Sequence, residues 1–600
     1  SGSGGQVRVL AGSLRAKGGS TGVASITATA GSESTGDSGD VLVDVASRLE
    51  LLDGAEISSA TFGPGAGGDV AVAASDVLID GYDRSRVTGI SAQTAQGGGD
   101  AGDVAVNVRN LLQVTAGGQI EAQTASGGDG GDVSIRAGTL LIDGAYSGIS
   151  TRAAGASTGD AGNVDLRVAS AMRLDHGSRV SAETTSSGDG GSVFVAAQAL
   201  ALANGSMIRT DSTGAGRGGD LALSVAGDLR IAAADILAGT AGSGDGGMIR
   251  IDAIRLAASD GASVASETDG GVGRAGDLRI AASESIRLAG GSTLSAATQA
   301  AGRGGDVLVS APYLGLDDGA GIRSSSGPSA DGRPGLIEVN AGTLDMAGAS
   351  SISAESLGTA AAGRIAIHAN RVELTELSTI TTDAEQADGG QIAIAAGDRL
   401  ALRDSRIATS VLGRSGDGGN IDITTGTLDL DSGYIQANTA APGGSGGEIR
   451  VRADPVLSNG GPLIIGGDIP LPFLPGSGIS AIQAAAADGV EGVVRTSFVG
   501  TEVAEAQTPL ATPLAQAQAL LASGCLPQGR TGPSSLLALG APGLMGQGAR
   551  PARVAFTGSR LERLLAEAGG DHPVPTVARS AADAAAPRAA GVTVPETTGT

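Results

Sequence analysis

Tryptophan is absent from this 600-residue chain, aromatic residues make up 2% of it, and one cysteine, Cys525, is present. A conventional thick core needs larger side chains than Val, Ile, Leu and Ala, so the scarcity of aromatics argues against an ordinary globular domain. A single cysteine excludes a disulfide framework within the chain. Lys17 is the only lysine, the net charge is −24, and the arginines are scattered rather than clustered. Without a basic stripe interleaved with aromatics, nucleic acid is not an expected partner. No apolar run reaches 18 residues, so no spanning helix is expected. The first residues, Ser1–Gly12, are already in mid-repeat and show no signal-peptide pattern, so the chain reads as a fragment.

What is abundant is glycine, 102 of 600 residues, without a Gly-X-Y period. Many of these glycines mark the restart of one phrase. A clear copy runs from Asp132 to Asn163 (DVSIRAGTLLIDGAYSGISTRAAGASTGDAGN). The restart glycines are Gly5, Gly39, Gly68, Gly102, Gly131, Gly162, Gly191, Gly219, Gly247, Gly276, Gly305, Gly335, Gly363, Gly390, Gly419 and Gly447. Their mean spacing is about 29 residues, within the range of solenoids and propellers.

Each repeat holds three short runs that alternate apolar and polar residues, the period of a strand. The first is like Asp40–Val45 (DVLVDV) or Asn420–Thr425 (NIDITT). The second ends in a turn dipeptide: Asp53-Gly54, Asp80-Gly81, Asp143-Gly144, Asn204-Gly205, Asp260-Gly261 or Asp318-Gly319. Such pairs supply positive φ. The third reads like I-x-A-x-T, with Ser59 for Ala in Ile57–Thr61 and Val for Ile in Val180–Thr184, beside Ile90–Thr94 and Ile120–Thr124. The expected fold is therefore all-β: a right-handed parallel β-helix of about 16 coils with three short strands each, a rod of roughly 75–80 Å. A propeller needs four strands and ~40–45 residues per unit.

Residues 1–453 are assigned to the repeats. Prolines 455, 462, 470, 472 and 475 mark residues 454–500 as a terminal irregular coil and cap. Short helices are expected at Pro509–Ser523 and Gly558–Gly570, the first within a segment spanning 501–548. The second opens a largely disordered tail, 549–600.

Chemistry-bearing residues are few. The glycine-rich loops, such as Gly97–Asp103 and Gly127–Asp132, stack the restart aspartates Asp40, Asp69, Asp103 and Asp132 in successive coils. Stacked carboxylates repel or invite a cation. The loops lack the nine-residue tandem of calcium-binding repeats, and the column loses its charge at Asn163, Ser192 and Met248, so calcium is left open and no metal or other cofactor is expected. His176, His368 and His572 lie far apart without Cys or acidic partners at ligand spacing, and His176 and His368 are expected to be surface residues without a partner. No coil shows a unique cluster of carboxylates, so no catalytic residue is expected, and the chain is not expected to be an enzyme. A polysaccharide lyase or glycosidase on a β-helix is the alternative.

The phrase GDVxVxA…LxLxDG…IxAxT…GxGG, with Asp488–Val494 and the stretch Ala522–Leu544, resembles filamentous-haemagglutinin-like exoproteins of the two-partner secretion system. Cys525, Ser534, Ser535, Leu536, Gly540, Gly543 and Leu544 match that family's closing segment, and Leu544-Met545 departs from its final Leu-Pro. The resemblance implies a bacterial adhesin, secreted or held at the cell surface. It would be passed through an outer-membrane transporter and attach to cells or polysaccharide.

Overall fold

The computed structural model describes residues 3–498, apart from 20–21, 82–86, 96–98, 126, 155–157, 186, 300 and 459–460. The C-terminal helices, the segment around Cys525, and His572 lie outside the described residues. The fold is a parallel β-solenoid of about 15 turns, without a helix among the described residues.

The repeat dictates the coil directly. In the first run, Val41, Val70, Val104, Val133, Val164 and Val193 stand in register and form one buried column. In the third run, Ile57, Ile90, Ile120, Ile149, Val180 and Ile208 form another. These ladders and those of the second run merge into a single apolar cluster along the solenoid. Each fully buried aliphatic side chain contributes roughly 1.5–3 kcal/mol, and parallel pairing repeats the same inward residue type in every coil.

The three runs are present, but the first two share a sheet. They join a 22-stranded parallel sheet, while the third runs form a second sheet. In many coils the first two are a single bent strand, such as Val104–Thr115 or Val133–Asp143. The bend absorbs a register shift: Arg109-Asn110 lie between Val108 and Leu111 in one coil, whereas Gly138 alone lies between their partners Ala137 and Thr139 in the next. Ala169-Ser170 restore a two-residue bend in the coil after that. An extra residue of this kind kinks the strand and re-aims its side chains.

The restart glycine has a steric cause. A Cβ on Gly131, Gly162, Gly191, Gly219 or Gly247 would sit well inside 3.0 Å of the carbonyl oxygen of the restart glycine one coil earlier. A second column, with Gly128, Gly159 and Gly188, stacks in the same way three residues upstream. Between the glycines run hydrogen bonds from coil to coil. Backbone N–H groups of Asp69, Asp103, Asp132 and Asn163 donate to the carboxylates of Asp40, Asp69, Asp103 and Asp132 at 2.7–3.1 Å. A parallel ladder joins Asp129 to Asp100, Asp160 to Asp129 and Asp189 to Asp160. The GDGGD pattern thus encodes stacking. Asn163 continues the ladder, since its Oδ1 accepts from Ser192 N–H at 3.0 Å.

The turn dipeptides are as expected at Asp53-Gly54, Asn204-Gly205, Asp260-Gly261 and Asp318-Gly319, where both residues have positive φ. Asp143-Gly144 differs: Gly144 and Tyr146 carry the positive φ, and neither Asp80 nor Gly81 does.

Past Asp454-Pro455 the last coil is irregular. Val456–Ser458 extends the first sheet, and Ser480–Gln483 pairs with the Tyr434 strand. The proline-rich excursion between them folds sideways over the third-run sheet. Phe473 meets Tyr434 edge-to-face at 5.2 Å, and Gln436 Nε2 donates to Leu471 O at 2.7 Å.

Gly191→Ala is expected to destabilise the solenoid by about 3 kcal/mol through overpacking against backbone. Gly12→Ala, which meets nothing within 4 Å, is expected to be nearly neutral. Urea melts followed by circular dichroism compare the two.

Candidate functional site

A solenoid spends its inward positions on the core, so chemistry must lie outward. On the third-run sheet, strands Gln119–Thr124, Gly148–Ala153 and Arg179–Thr184 stand side by side. Their outward columns read Gln119, Gly148, Arg179; Glu121, Ser150, Ser181; and Gln123, Arg152, Glu183. Together with the turn Ala145–Ser147 they line a groove of about 430 Å³. Gly148 leaves its middle without a side chain. Tyr146, 63% exposed with φ of 70°, stands on its rim.

Two buried carboxylates belong to these strands: Glu121, which lines the groove, and Glu183, which lies beside it. Glu121 accepts from Gln93 Nε2 and Gln123 Nε2, each at 3.2 Å. Burial pushes its carboxyl up to about 7; Arg152 works against this and Glu56 adds to it. Glu183 meets Arg209 at 2.6 Å and Arg152 at 3.7 Å, and Arg209 also meets Asp211 at 2.6 Å.

A second carboxylate pair lies further along the same sheet. Glu355 and Asp383 occupy equivalent positions of adjacent coils, as the neighbouring pairs Ser353–Thr381 and Ser356–Ala384 show. Burial raises Asp383 to about 6, opposed by Arg406 and the Ser410 N–H and reinforced by Glu355. Arg406 lies 3.1 Å from Asp383, and Thr381 donates to Glu355 at 2.5 Å. On the other sheet, the Arg287 guanidinium lies 5.0 Å from the Tyr313 ring centroid, in a groove that Asp345 and Glu373 also line.

No protein-family model, no curated protein and no solved structure matches this chain.

One expectation from the sequence is corrected, and one feature was missed. The missed feature is the charged network from Glu121 to Asp211, which no single coil carries because it is assembled across coils. Its signal was present in the variable places of I-x-A-x-T, where Gln123, Arg152, Glu183 and Asp211 succeed one another. Reading it requires the register between coils. His176, expected to lack an acidic partner, has one: its Nδ1 is 2.7 Å from Asp143 Oδ1 and 3.6 Å from Asp175 Oδ1. It occupies the first place of a turn dipeptide, with φ of 52°, and so faces the turn of the preceding coil. His368 is exposed on the outward side of Arg364–Leu374, as expected.

Asp143, Asp175 and His176 bring their ligand atoms within 4.8 Å of one another. Asp175 is already engaged by the Arg173 guanidinium, by Asn204 Nδ2 at 2.7 Å and by the His176 N–H at 2.9 Å. Burial favours its neutral form, and these bonds outweigh burial and hold its carboxyl below the usual range. The donor set is that of an ion-paired turn.

Two pH effects follow. Glu121 is raised from its ordinary value to about 7, so the folded state binds a proton that the unfolded chain has released between about pH 4.5 and 7. Stability from this group is complete below that window and is lost as pH rises through it. Glu121→Gln is expected to exceed the wild type by on the order of 2 kcal/mol at pH 8 and to match it at pH 4. His176 is raised by its bond to Asp143 and by the charge of Asp175, so its contribution is present below its ordinary value and fades as pH rises. His176→Asn, which tolerates positive φ, is expected to lower the Tm at pH 5.5 and to leave it close to wild type at pH 8.5.

Proposed function

We propose that this chain is part of a secreted, surface-associated adhesive rod of the filamentous-haemagglutinin-like kind. It is exported through an outer-membrane two-partner secretion transporter and attaches to cells or polysaccharide. The repeat phrase and the parallel solenoid built from it support this reading. Each coil contacts its neighbours, so folding can propagate coil by coil as the chain emerges.

The observation that carries the binding part is the third-run groove. It sets an exposed tyrosine beside glutamine, serine and arginine side chains in a chain with few aromatics. An aromatic ring offers an apolar face to a sugar ring, and planar amide and guanidinium groups match its hydroxyls. The one carboxylate lining it, Glu121, is held by the amides of Gln93 and Gln123, and the arginine-bridged Glu183 lies beside it. Weak contacts at several coils add through multivalency.

A second reading, a polysaccharide lyase or glycosidase, is favoured by the Glu355–Asp383 pair. Adjacent parallel strands lie ~4.8 Å apart, close to the ~5–5.5 Å between the carboxyl groups of retaining glycosidases. A carboxyl raised to about 6 also suits a general acid. The bonds from Thr381, Arg406 and the Ser410 amide weigh against it.

A panel of immobilised polysaccharides, scored for retention and for released sugars, separates the two. Retention without release is expected, with Tyr146→Ala weakening it by about tenfold. Product release that disappears in Asp383→Asn would replace the adhesive reading with the enzymatic one.

A further inference from the structure

The bend between the first and second runs holds a different kind of surface. Arg136 and Arg167 are in register in adjacent coils, both on the outward side of the first run. Arg109 belongs to the extra bend residues of the preceding coil, directly after Val108, which pairs with Ala137. All three are exposed. The one-residue bend at Gly138 is recessed between the two-residue bends Arg109-Asn110 and Ala169-Ser170. A Cβ on Gly138 would come within 2.5 Å of the carbonyl oxygens of Arg109 and Asn110. The recess opens into a groove of about 620 Å³ floored by Val108, Ala137, Val168 and Ala197.

The charge of this groove runs against that of the chain. Arg167 is 3.0 Å from Asp165 and 5.8 Å from the Phe194 ring centroid. Arg109 and Arg136 have no acidic partner among the described residues, although the chain carries 63 acidic side chains against 39 basic ones. Other arginines of the solenoid are paired, as Arg173 is with Asp175, Arg209 with Glu183 and Asp211, and Arg255 with Asp228 and Glu284. Three guanidiniums facing one carboxylate, over an apolar floor, make a cationic recess in an acidic rod.

We infer that this groove binds the carboxylate groups of an acidic, uronate-bearing polysaccharide. Guanidinium forks match carboxylates with two parallel hydrogen bonds. Charges presented by successive coils at ~4.8 Å steps suit a polymer with carboxylates along its length. The apolar floor accepts the sugar rings between them. The net negative charge of the rod disfavours polyanions over most of its surface. The inference shares with the proposed function the idea of a carbohydrate ligand, but it rests on a different sheet and different residues.

The test is binding of the whole chain to galacturonate oligosaccharides by calorimetry, at low and at physiological salt. Neutral, sulfated and phosphatidylserine-vesicle arms run beside it. Uronate binding that weakens with salt is expected, and Arg109→Ala with Arg136→Ala should reduce affinity at least about tenfold per arginine. Arg303→Ala with Arg333→Ala makes the same charge change elsewhere and should leave binding unchanged. Melting curves of both pairs verify that the fold is kept. Equal losses in the two pairs would reduce the effect to net charge and overturn the inference, as would tighter binding of sulfated polymer or vesicles. Retention of neutral polysaccharide without uronate binding would overturn this inference alone and leave the adhesive reading standing.

Discussion

The constraint on which this fold depends lies between backbones: coil passes to coil through a glycine that rests on the carbonyl of the glycine below. A methyl group has no room at Gly162 or Gly191. The other coil-to-coil features are arranged around that contact. With the restart positions stacked, the next residue presents its N–H to the carboxylate of the coil before, as Asp103 does to Asp69. The first run then starts in register, and its apolar residues fall on the column beneath them. In a parallel stack a one-residue slip would turn every inward Val or Ile outward. The glycine columns and the aspartate ladders therefore define where each coil begins, and the aliphatic ladders supply most of the stabilisation.

The same arrangement accounts for stacking so many carboxylates in an acidic chain. Each ladder aspartate gives one oxygen to a backbone N–H of the next coil, and hydrogen bonding to the charged form offsets repulsion along the column. Asp103 shows the balance. Burial, with the charges of Asp132 and Asp69, pushes its carboxyl up, while the Asp132 amide works in the opposite direction. Asn163 serves equally well, because the ladder needs an acceptor oxygen rather than a charge. In the buried column that closes the third run, hydroxyls do similar work: Thr94 donates to Thr124 and Thr268 to Thr298.

The solenoid was legible because its determinants are local. Alternation at period two, glycine at each restart and Asp-Gly at the turns can be read one coil at a time. What could not be read is set by register. The pairing of His176 with Asp143 joins residues in neighbouring coils, and the network from Glu121 to Asp211 draws on four. The joining of the first two runs depends on a bend whose length changes between Arg109-Asn110 and Gly138. A shift of one residue there leaves the apolar pattern intact and moves only outward side chains. The direction of the proline-rich excursion was equally hidden, since Phe473 finds Tyr434 across a gap in sequence that no repeat bridges.

The two grooves share the coils that begin at Val104, Val133 and Val164, and the arginine groove continues onto the next two, but they open on different sheets. Both arise where an outward position departs from the repeat without disturbing an inward one: Gly148 and Tyr146 on one sheet, Gly138 and the arginine bend on the other. A scaffold whose stability lies in its inward ladders leaves such departures nearly free of stability cost. A polymer lying along one sheet does not reach the other, so ligands held in both grooves belong to separate chains or to separate stretches of one chain. On the two proposals above, polymer held on two faces of the same coils would be joined strand to strand, and weak sites at successive coils would add through multivalency.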